Sequence, residues 1–187
     1  MTPEQIRKAI KFQKYHNEKF GFENTAFIEG YIENLEMIEN NSMDVVISNC
    51  VINLCPDKKV VLEEIFKVLK FGGEFYFSDV YSNKRIPEDL KRDEVLWGEC
   101  LSGALYWNDF INLAKEVGFT DVRVIKNSQI KVGNKKLEEK LEGYEFYSVT
   151  YRLFKLPKLL ENDCEDYGQA VIYLSLIHIS EPTRPLS

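Results

Sequence analysis

The stretch Asp44-Val-Val-Ile-Ser48 is β-branched and almost continuously apolar, which is typical of a parallel strand covered on both faces. An amphipathic helix is predicted to start at Pro56-Asp57, to carry apolar residues from Val60 to Leu69, and to end at Gly72-Gly73. A second buried strand is predicted from Glu74 to Val80. This order of strand, helix and strand at short spacing predicts a right-handed βαβ unit, and therefore an α/β fold with a parallel sheet and helices on both faces.

Further patterns extend the predicted fold on both sides of this unit. Thr2-Pro3-Glu4-Gln5 has the capping residues of a helix that ends near Gly21. Another helix is expected from Asn108 to Val117, with Gly118 as its cap. The other predicted elements are strands at Thr25–Ile28, Val122–Val132, Phe146–Leu156 and Gln169–Tyr173, and a short helix at Lys135–Leu141.

The composition predicts one hydrophobic core and argues against a polyanionic partner. The chain has 187 residues, of which 44% are hydrophobic, so it is long enough for one ordinary domain. Its net charge is -6, with lysines interleaved with glutamates, so no basic face is offered to nucleic acid or to an anionic membrane. No apolar run reaches the roughly 18 residues of a membrane span. The amino terminus also lacks a secretory signal, so a cytoplasmic location is expected.

Two cysteine-containing segments are the candidate functional site. Four cysteines without a secretory signal are expected to be reduced thiols rather than a disulfide framework. Ser48-Asn-Cys-Val-Ile-Asn-Leu-Cys55 ends the first predicted strand, and Leu96 to Trp107 lies in a long polar and aromatic stretch that is a candidate binding insertion. Because open α/β sheets bind ligands at the carboxyl ends of their strands, both segments are placed to face one crevice.

Three segments resemble the arsenite methyltransferases: Asp44-Val-Val-Ile-Ser-Asn-Cys-Val-Ile-Asn-Leu54, Phe75-Tyr-Phe-Ser-Asp-Val-Tyr81 and Leu96-Trp-Gly-Glu-Cys-Leu-Ser-Gly-Ala-Leu-Tyr-Trp107. Tyr151-Arg-Leu-Phe-Lys155 is similar to a late strand of that family, so the resemblance covers essentially all of residues 1–173. General methyltransferase features such as Val68-Leu-Lys-Phe-Gly-Gly73 are weak signals alone, whereas the two cysteine segments together are specific to the family.

The resemblance implies a Rossmann-like class I methyltransferase sheet, S-adenosylmethionine as cofactor and trivalent arsenic as substrate. It implies that Cys50 and Cys100 are the catalytic residues and the arsenic ligands, with Glu99 orienting a ligand beside them. Arsenic(III) is soft, so thiolates bind it better than oxygen or nitrogen donors do. Thiolate coordination leaves a lone pair that attacks the methyl group, so no general base is needed and catalysis rests on positioning.

The resemblance implies only part of a cofactor site. Ile32 and Glu33 match the turn that contacts adenine, and Asn49 matches a position near the methionine moiety. Met1 is a further implied cofactor-binding residue, since it falls just after the acidic residue that binds the ribose hydroxyls in the family. No G-x-G-x-x-G or P-loop occurs in the sequence. Gly72-Gly73 is predicted to follow a helix, whereas a glycine-rich loop that binds a nucleotide follows a strand. The fold is therefore expected to be truncated at its amino terminus, and the truncated chain is expected to be inactive alone.

Three regions are expected along the chain. Residues 1–125 form a partial methyltransferase domain, and residues 126–173 form an α+β extension on the substrate side. Residues 174–187 lack periodicity and resemble the translation of a transposase mosaic end and sequencing adapter. This tail and its His178 are therefore treated as non-native.

Two other functions are compatible with the residues. The chain could belong to a methyltransferase for another small substrate, in which the cysteines are only core residues. It could also be a thiol-based protein that binds As(III) or Sb(III) without catalysis.

Small thiols or a thioredoxin-type reductant are expected partners of the arsenite methyltransferase. Of the remaining candidates, Cys55 is interpreted as a core residue, Cys164 as incidental because carboxylates surround it, and His16 as a surface residue.

Overall fold

The computed structural model describes residues 3–91, 96, 101–131, 140, 141 and 143–159. In chain order these residues form α1 (Pro3–Phe20), β1 (Met43–Asn49), a 3-10 turn (Ile52–Leu54), α2 (Lys58–Val68), β2 (Leu69–Ser82), α3 (Glu88–Lys91), β3 (Leu105–Tyr106), α4 (Trp107–Val117), β4 (Val122–Ile130) and β5 (Phe146–Phe154).

The predicted strand, helix and strand form a parallel unit of β1, α2 and β2. Ile47 of β1 lies opposite Tyr76 of β2 in the register. Asp57 caps α2, since its Oδ1 accepts hydrogen bonds from the backbone N–H groups of Lys59 at 3.0 Å and Val60 at 3.2 Å. The helix buries one apolar side, which consists of Val61, Leu62, Ile65 and Val68. The βαβ prediction is therefore confirmed in its order and its parallel pairing.

The predicted end of α2 is wrong by several residues. The helix ends at Val68, and Gly72-Gly73 lies inside β2. Backbone pairing with Lys155 explains the difference, because Gly72 N–H donates to Lys155 O at 2.8 Å and Lys155 N–H donates to Gly73 O at 2.9 Å. Gly72 has a φ of 78°, so a glycine is required here by the backbone of a strand, not by a helix cap.

The sheet is mixed, with the strand order β1-β2-β5-β4 and β3 alongside β2. β5 is antiparallel to both of its neighbours, β2 and β4. The α/β class is confirmed, but the sheet is parallel only in the β1, β2 and β3 part. Position 125, the expected domain boundary, lies within β4, and residues on both sides of it pair with β5. The division into domains stays a prediction.

Two hydrophobic clusters stabilise the described part of the chain. The main core joins α2, α4 and the sheet, and its largest fully buried side chains include Phe75, Phe77, Phe110 and Tyr151. Aromatic rings pack in this core, with 4.2 Å between the ring centroids of Phe75 and Phe77. A smaller cluster, which includes Leu96, Leu101 and Ala104, packs under the long segment between β2 and α4. This second cluster fixes the segment that follows Cys100.

Two predictions about strands are wrong. Thr25–Ile28 is not a strand, and its residues are exposed instead of paired with a sheet. β1 is not covered on both faces, because the Val45 and Ile47 side chains are 51% and 74% exposed. β1 lies at the edge of the described sheet, and α2 and the core cover only its other face, where Val46 packs. The predicted strand at Gln169–Tyr173 and most of the predicted helix at Lys135–Leu141 lie outside the described residues.

Candidate active site

Cys50 lies directly after the carboxyl end of β1, where the backbone turns out of the sheet. Its φ is 52°, a left-handed value that non-glycine residues seldom adopt and that is often found at functional sites. Its N–H donates to Ser78 O at 2.9 Å, which keeps the residue attached to β2. The side chain is exposed, and its Sγ lies 3.7 Å from Asn49 Oδ1. The thiol therefore stands at the edge where α/β sheets place their ligands.

A buried carboxylate, Asp79 of β2, holds the turn that follows Cys50. Its Oδ2 accepts from Asn53 N–H at 3.1 Å and its Oδ1 accepts from Val80 N–H at 2.8 Å. Asn53 Nδ2 in turn donates to Val80 O at 2.6 Å. Burial is the main cause of a raised pKa for Asp79, and backbone N–H groups oppose that rise. These bonds fix the 3-10 turn against the end of β2.

Both described cysteines favour the protonated thiol at neutral pH. Burial, followed by the negative charge of Asp79, raises the pKa of Cys50. Cys55 is only 7% exposed and packs in the main core, which confirms its interpretation as a core residue. Burial and then the Glu33 carboxylate raise the pKa of Cys55 to about 11. Of these two thiols, only Cys50 is presented to a ligand.

The segment after Cys100 packs directly on the turn after Cys50. A Cβ built on Gly103 would lie 2.1 Å from the backbone oxygen of Asn53, so only glycine permits this approach. Leu101 N–H and Ser102 N–H both donate to Leu96 O, at 2.9 and 3.1 Å. The backbone therefore returns to Leu96 immediately after Cys100 and then meets Asn53.

The turn that was expected to contact adenine lies close to the same edge. Ile32 is half-buried against the main core, and the Glu33 carboxylate is within hydrogen-bonding reach of the Cys55 thiol. The loop is anchored by Leu35 N–H, which donates to Glu64 Oε2 at 2.8 Å. A hollow of about 180 Å³ opens beside Ile32, lined mostly by apolar side chains. Such a surface suits one face of an aromatic ring.

The structure brings some of the predicted site residues together and leaves others outside its description. Asn49 and Cys50 lie at the end of β1, and Glu33 reaches the same region through Cys55. Met1, Glu99 and Cys100 lie outside the described residues, so their roles stay predictions. Within the described ranges, no group of three or more His, Cys, Asp or Glu side chains is placed to hold a metal ion.

Three residues near the site were not predicted from the sequence, namely Asp79, Asn53 and Lys58. Asp79 stands in the quoted segment Phe75–Tyr81, and a carboxylate at the end of a buried strand was the available signal. Hydrophobic periodicity does not predict the 3-10 turn that brings Asn53 onto Asp79.

Among the helices that the structure describes, none is long and apolar enough to cross a membrane.

Comparisons with known proteins show the family of this chain. The profile of a family described as methyltransferase domain matches residues 1–118. An arsenite methyltransferase from Aquipseudomonas alcaligenes is 56% identical over 175 residues, which are 92% of this chain and 50% of that protein. The Homo sapiens arsenite methyltransferase is 50% identical over 162 residues, which are 84% of this chain and 43% of that protein. The chain thus spans about half the length of the curated relatives it matches.

Solved structures give the same result. The crystal structure of CrArsM, an arsenic(III) S-adenosylmethionine methyltransferase from Chlamydomonas reinhardtii, superposes with a TM-score of 0.83 at 49% identity. The match covers 90% of this chain and 58% of that one. The YcgJ protein of Bacillus shares the fold at 16% identity and a TM-score of 0.58. The chain belongs to the methyltransferase domain family and, within it, to the arsenite methyltransferases.

Proposed function

We propose that the protein carrying this chain methylates arsenic(III) held by the thiolates of Cys50 and Cys100. The observation that supports this pairing most directly is the contact between Gly103 and Asn53. Each of these residues follows its cysteine by three positions, so the contact ties together the backbones that carry the two thiols. The family relationship supports arsenic as the substrate.

The role of the protein in this reaction is mainly to position the arsenic. Cys50 has a left-handed backbone and an exposed side chain at the end of β1, and the Asp79 hydrogen bonds hold the turn that follows it. Arsenic(III) replaces the proton on each thiol, which offsets the raised pKa of Cys50. The exposed side of the site then leaves the arsenic lone pair accessible, and catalysis rests on alignment with the methyl group.

The described residues fit S-adenosylmethionine in part. The apolar hollow beside Ile32 suits the adenine ring, and Glu33 is proposed to accept a hydrogen bond from the adenine amino group. Asn49, whose Oδ1 lies 3.7 Å from Cys50 Sγ, is proposed to contact the methionine moiety. When bound, S-adenosylmethionine supplies an electrophilic methyl group. Glu99, beside Cys100, is proposed to orient the arsenic-bound thiolates.

A reductant is a proposed partner of this reaction. When the arsenic lone pair forms an As–C bond, the formal oxidation state of arsenic rises by two. A further methylation therefore requires two electrons from a second molecule, and small thiols or a thioredoxin-type protein are the proposed donors. The reduced thiols that this chemistry needs support a cytoplasmic location.

The test is methyl transfer with matched cysteine variants. The purified protein is incubated with arsenite, a thiol and S-adenosylmethionine, and the arsenic species are separated and quantified by mass spectrometry. Methylated arsenic is expected from the unmodified protein and from Cys55→Ala, and its loss is expected in Cys50→Ser and in Cys100→Ser. Equal yields in all four proteins would overturn the proposal. Arsenic binding without any methylated product would favour the non-catalytic thiol protein instead.

A further inference from the structure

A second cavity, of about 320 Å³, opens beside the turn that follows Cys50. It lies between the start of α2, the end of α3 and the segment that includes Ser102 and Gly103. Its charged lining residues are three lysines, Lys58, Lys59 and Lys91, and one aspartate, Asp57. This concentration of positive charge differs from the overall net charge of -6 and calls for an explanation.

Lys58 has the least compensated charge of the three. Its Nζ donates to two neutral backbone oxygens, Cys55 O at 3.1 Å and Asn53 O at 3.5 Å. Among the described residues, no carboxylate forms an ion pair with it, whereas Lys59 pairs with Glu116 and Lys91 Nζ lies 2.6 Å from Glu88 Oε1. Burial, and to a smaller extent the positive charge of Lys91, lowers the pKa of Lys58, while Cys55, Asp79 and Asp57 oppose that shift. An additional anion would relieve both effects.

Ser102 supplies an independent indication of a ligand. The residue is 2% exposed and lines the same cavity, yet its Oγ has no hydrogen-bond partner in the part of the chain that the structure describes. Leaving a buried hydroxyl unpaired costs about 1–3 kcal/mol, so native proteins seldom do so without a ligand or water at the site. The backbone N–H groups of Lys59 and Val60, at the start of α2, already donate to Asp57, so these two groups do not contribute.

We propose that Lys58, Lys91 and Ser102 form a subsite for a compact oxyanion, either free inorganic phosphate or the carboxylate of a small thiol. An ammonium group binds such an anion as a point charge, and a serine hydroxyl donates one further hydrogen bond. The cavity is also lined by Cys55, five positions after Cys50. An anion bound here therefore lies on the same edge of the sheet as the Cys50 thiol, which is proposed to bind arsenic. This subsite goes beyond the proposed methyl transfer.

The experiment measures anion binding by the full chain without arsenic or S-adenosylmethionine. Binding is measured by isothermal titration calorimetry with inorganic phosphate, with 3-mercaptopropionate and with the neutral thiol 2-mercaptoethanol. Saturable binding of phosphate, of 3-mercaptopropionate or of both is expected, and 2-mercaptoethanol should not bind. Binding of phosphate alone identifies the free anion as the ligand, and binding of 3-mercaptopropionate alone identifies the thiol carboxylate.

Matched variants assign the binding to these residues. Lys58→Gln should weaken binding about tenfold, since it removes a charge-assisted hydrogen bond. Ser102→Ala should weaken it about fivefold without harming the fold, because it removes a hydroxyl that has no partner. Lys8→Gln, on the exposed side of α1, is the charge-matched control and should bind as the unmodified chain does. The proposal is overturned if neither anion binds saturably, or if Lys58→Gln and Ser102→Ala bind as tightly as the control. Because no methyl transfer is measured, this failure is distinct from a failure of the proposed function.

Discussion

Cys50 and Cys55 are five positions apart, and the 3-10 turn gives their thiols opposite environments. The left-handed backbone exposes Cys50, while Cys55 turns into the main core. Only the family resemblance distinguished the two residues in the sequence, since both are cysteines that follow a strand predicted to be buried. The structure supplies the physical reason, which is that only one of them faces outward.

The raised pKa of Cys50 predicts how its reactivity depends on pH. A raised pKa means that the thiolate fraction is small at neutral pH and grows as pH rises towards and beyond 9. Alkylation of Cys50 by iodoacetamide should therefore accelerate with pH and show no plateau below about pH 9. Cys55 should react only when the protein unfolds. Peptide mass spectrometry after short exposures checks both statements, and a plateau of Cys50 modification below pH 8 would contradict the account.

Asp79 predicts a pH dependence of stability. Its folded pKa is raised above the ordinary value of 3.8, so the folded state retains this proton more tightly than the unfolded state does. The contribution of Asp79 to stability is therefore greatest below pH 3.8 and is lost as pH rises through the folded pKa. Relative to Asp79→Asn, which does not titrate, the free energy of unfolding of the unmodified chain should fall across that window and then level off.

Urea denaturation of both proteins at several pH values from 4 to 7 provides the measurement for Asp79. If the free energy of unfolding of the unmodified chain instead rises with pH relative to that of Asp79→Asn, the pKa of Asp79 is lowered on folding. The backbone N–H groups would then outweigh burial, which would contradict this prediction.

At the scale of elements, the central contact is the close approach of the residue 101–104 segment to the 3-10 turn. Gly103→Ala should push these segments apart, because its Cβ would lie 2.1 Å from Asn53 O. Overpacking against backbone destabilises by about 1–3 kcal/mol, and we expect arsenite binding to weaken as well. Thermal unfolding and arsenite titration measure the two effects.

Gly30→Ala is the matched control for this substitution, since its added Cβ meets only the flexible end of Met37 at 2.9 Å. If Gly103→Ala has the same unfolding temperature and the same arsenite affinity as Gly30→Ala, the two cysteine segments are not coupled through this contact.

Local sequence patterns predicted the elements that end on clear signals. Asp57 marks the start of α2 and Gly118 marks the end of α4, and each of these two helices has regular apolar periodicity. The patterns failed where long-range pairing decides the structure. Lys155, 82 residues further along the chain than Gly73, draws that glycine into β2, and no local signal records this bond. For the same reason, the burial of Asp79 beneath the turn was not predictable.

At the scale of the molecule, one face of β1 is open in the described part of the chain. Its apolar side chains on that face, Val45 and Ile47, add to other exposed apolar residues, including Phe27, Ile28 and Tyr31. Exposed apolar strands at a sheet edge favour association with other chains. Ile47→Lys should therefore reduce aggregation of the purified chain, measured by light scattering, without lowering its stability.

The control for this surface is Ile65→Lys, which places a charge in the core where Ile65 is 4% exposed and should unfold the chain. If Ile47→Lys lowers the free energy of unfolding as Ile65→Lys does, β1 is covered on that face.

The most direct test of the account is the coordination of arsenic in the protein loaded with arsenite, measured by X-ray absorption at the arsenic edge. Two protein sulfur ligands are expected, with one fewer in Cys50→Ser, one fewer in Cys100→Ser and no change in Cys55→Ala. Unchanged sulfur coordination in Cys50→Ser and Cys100→Ser would contradict it, because arsenic would then be held away from the edge of the sheet where Cys50 lies.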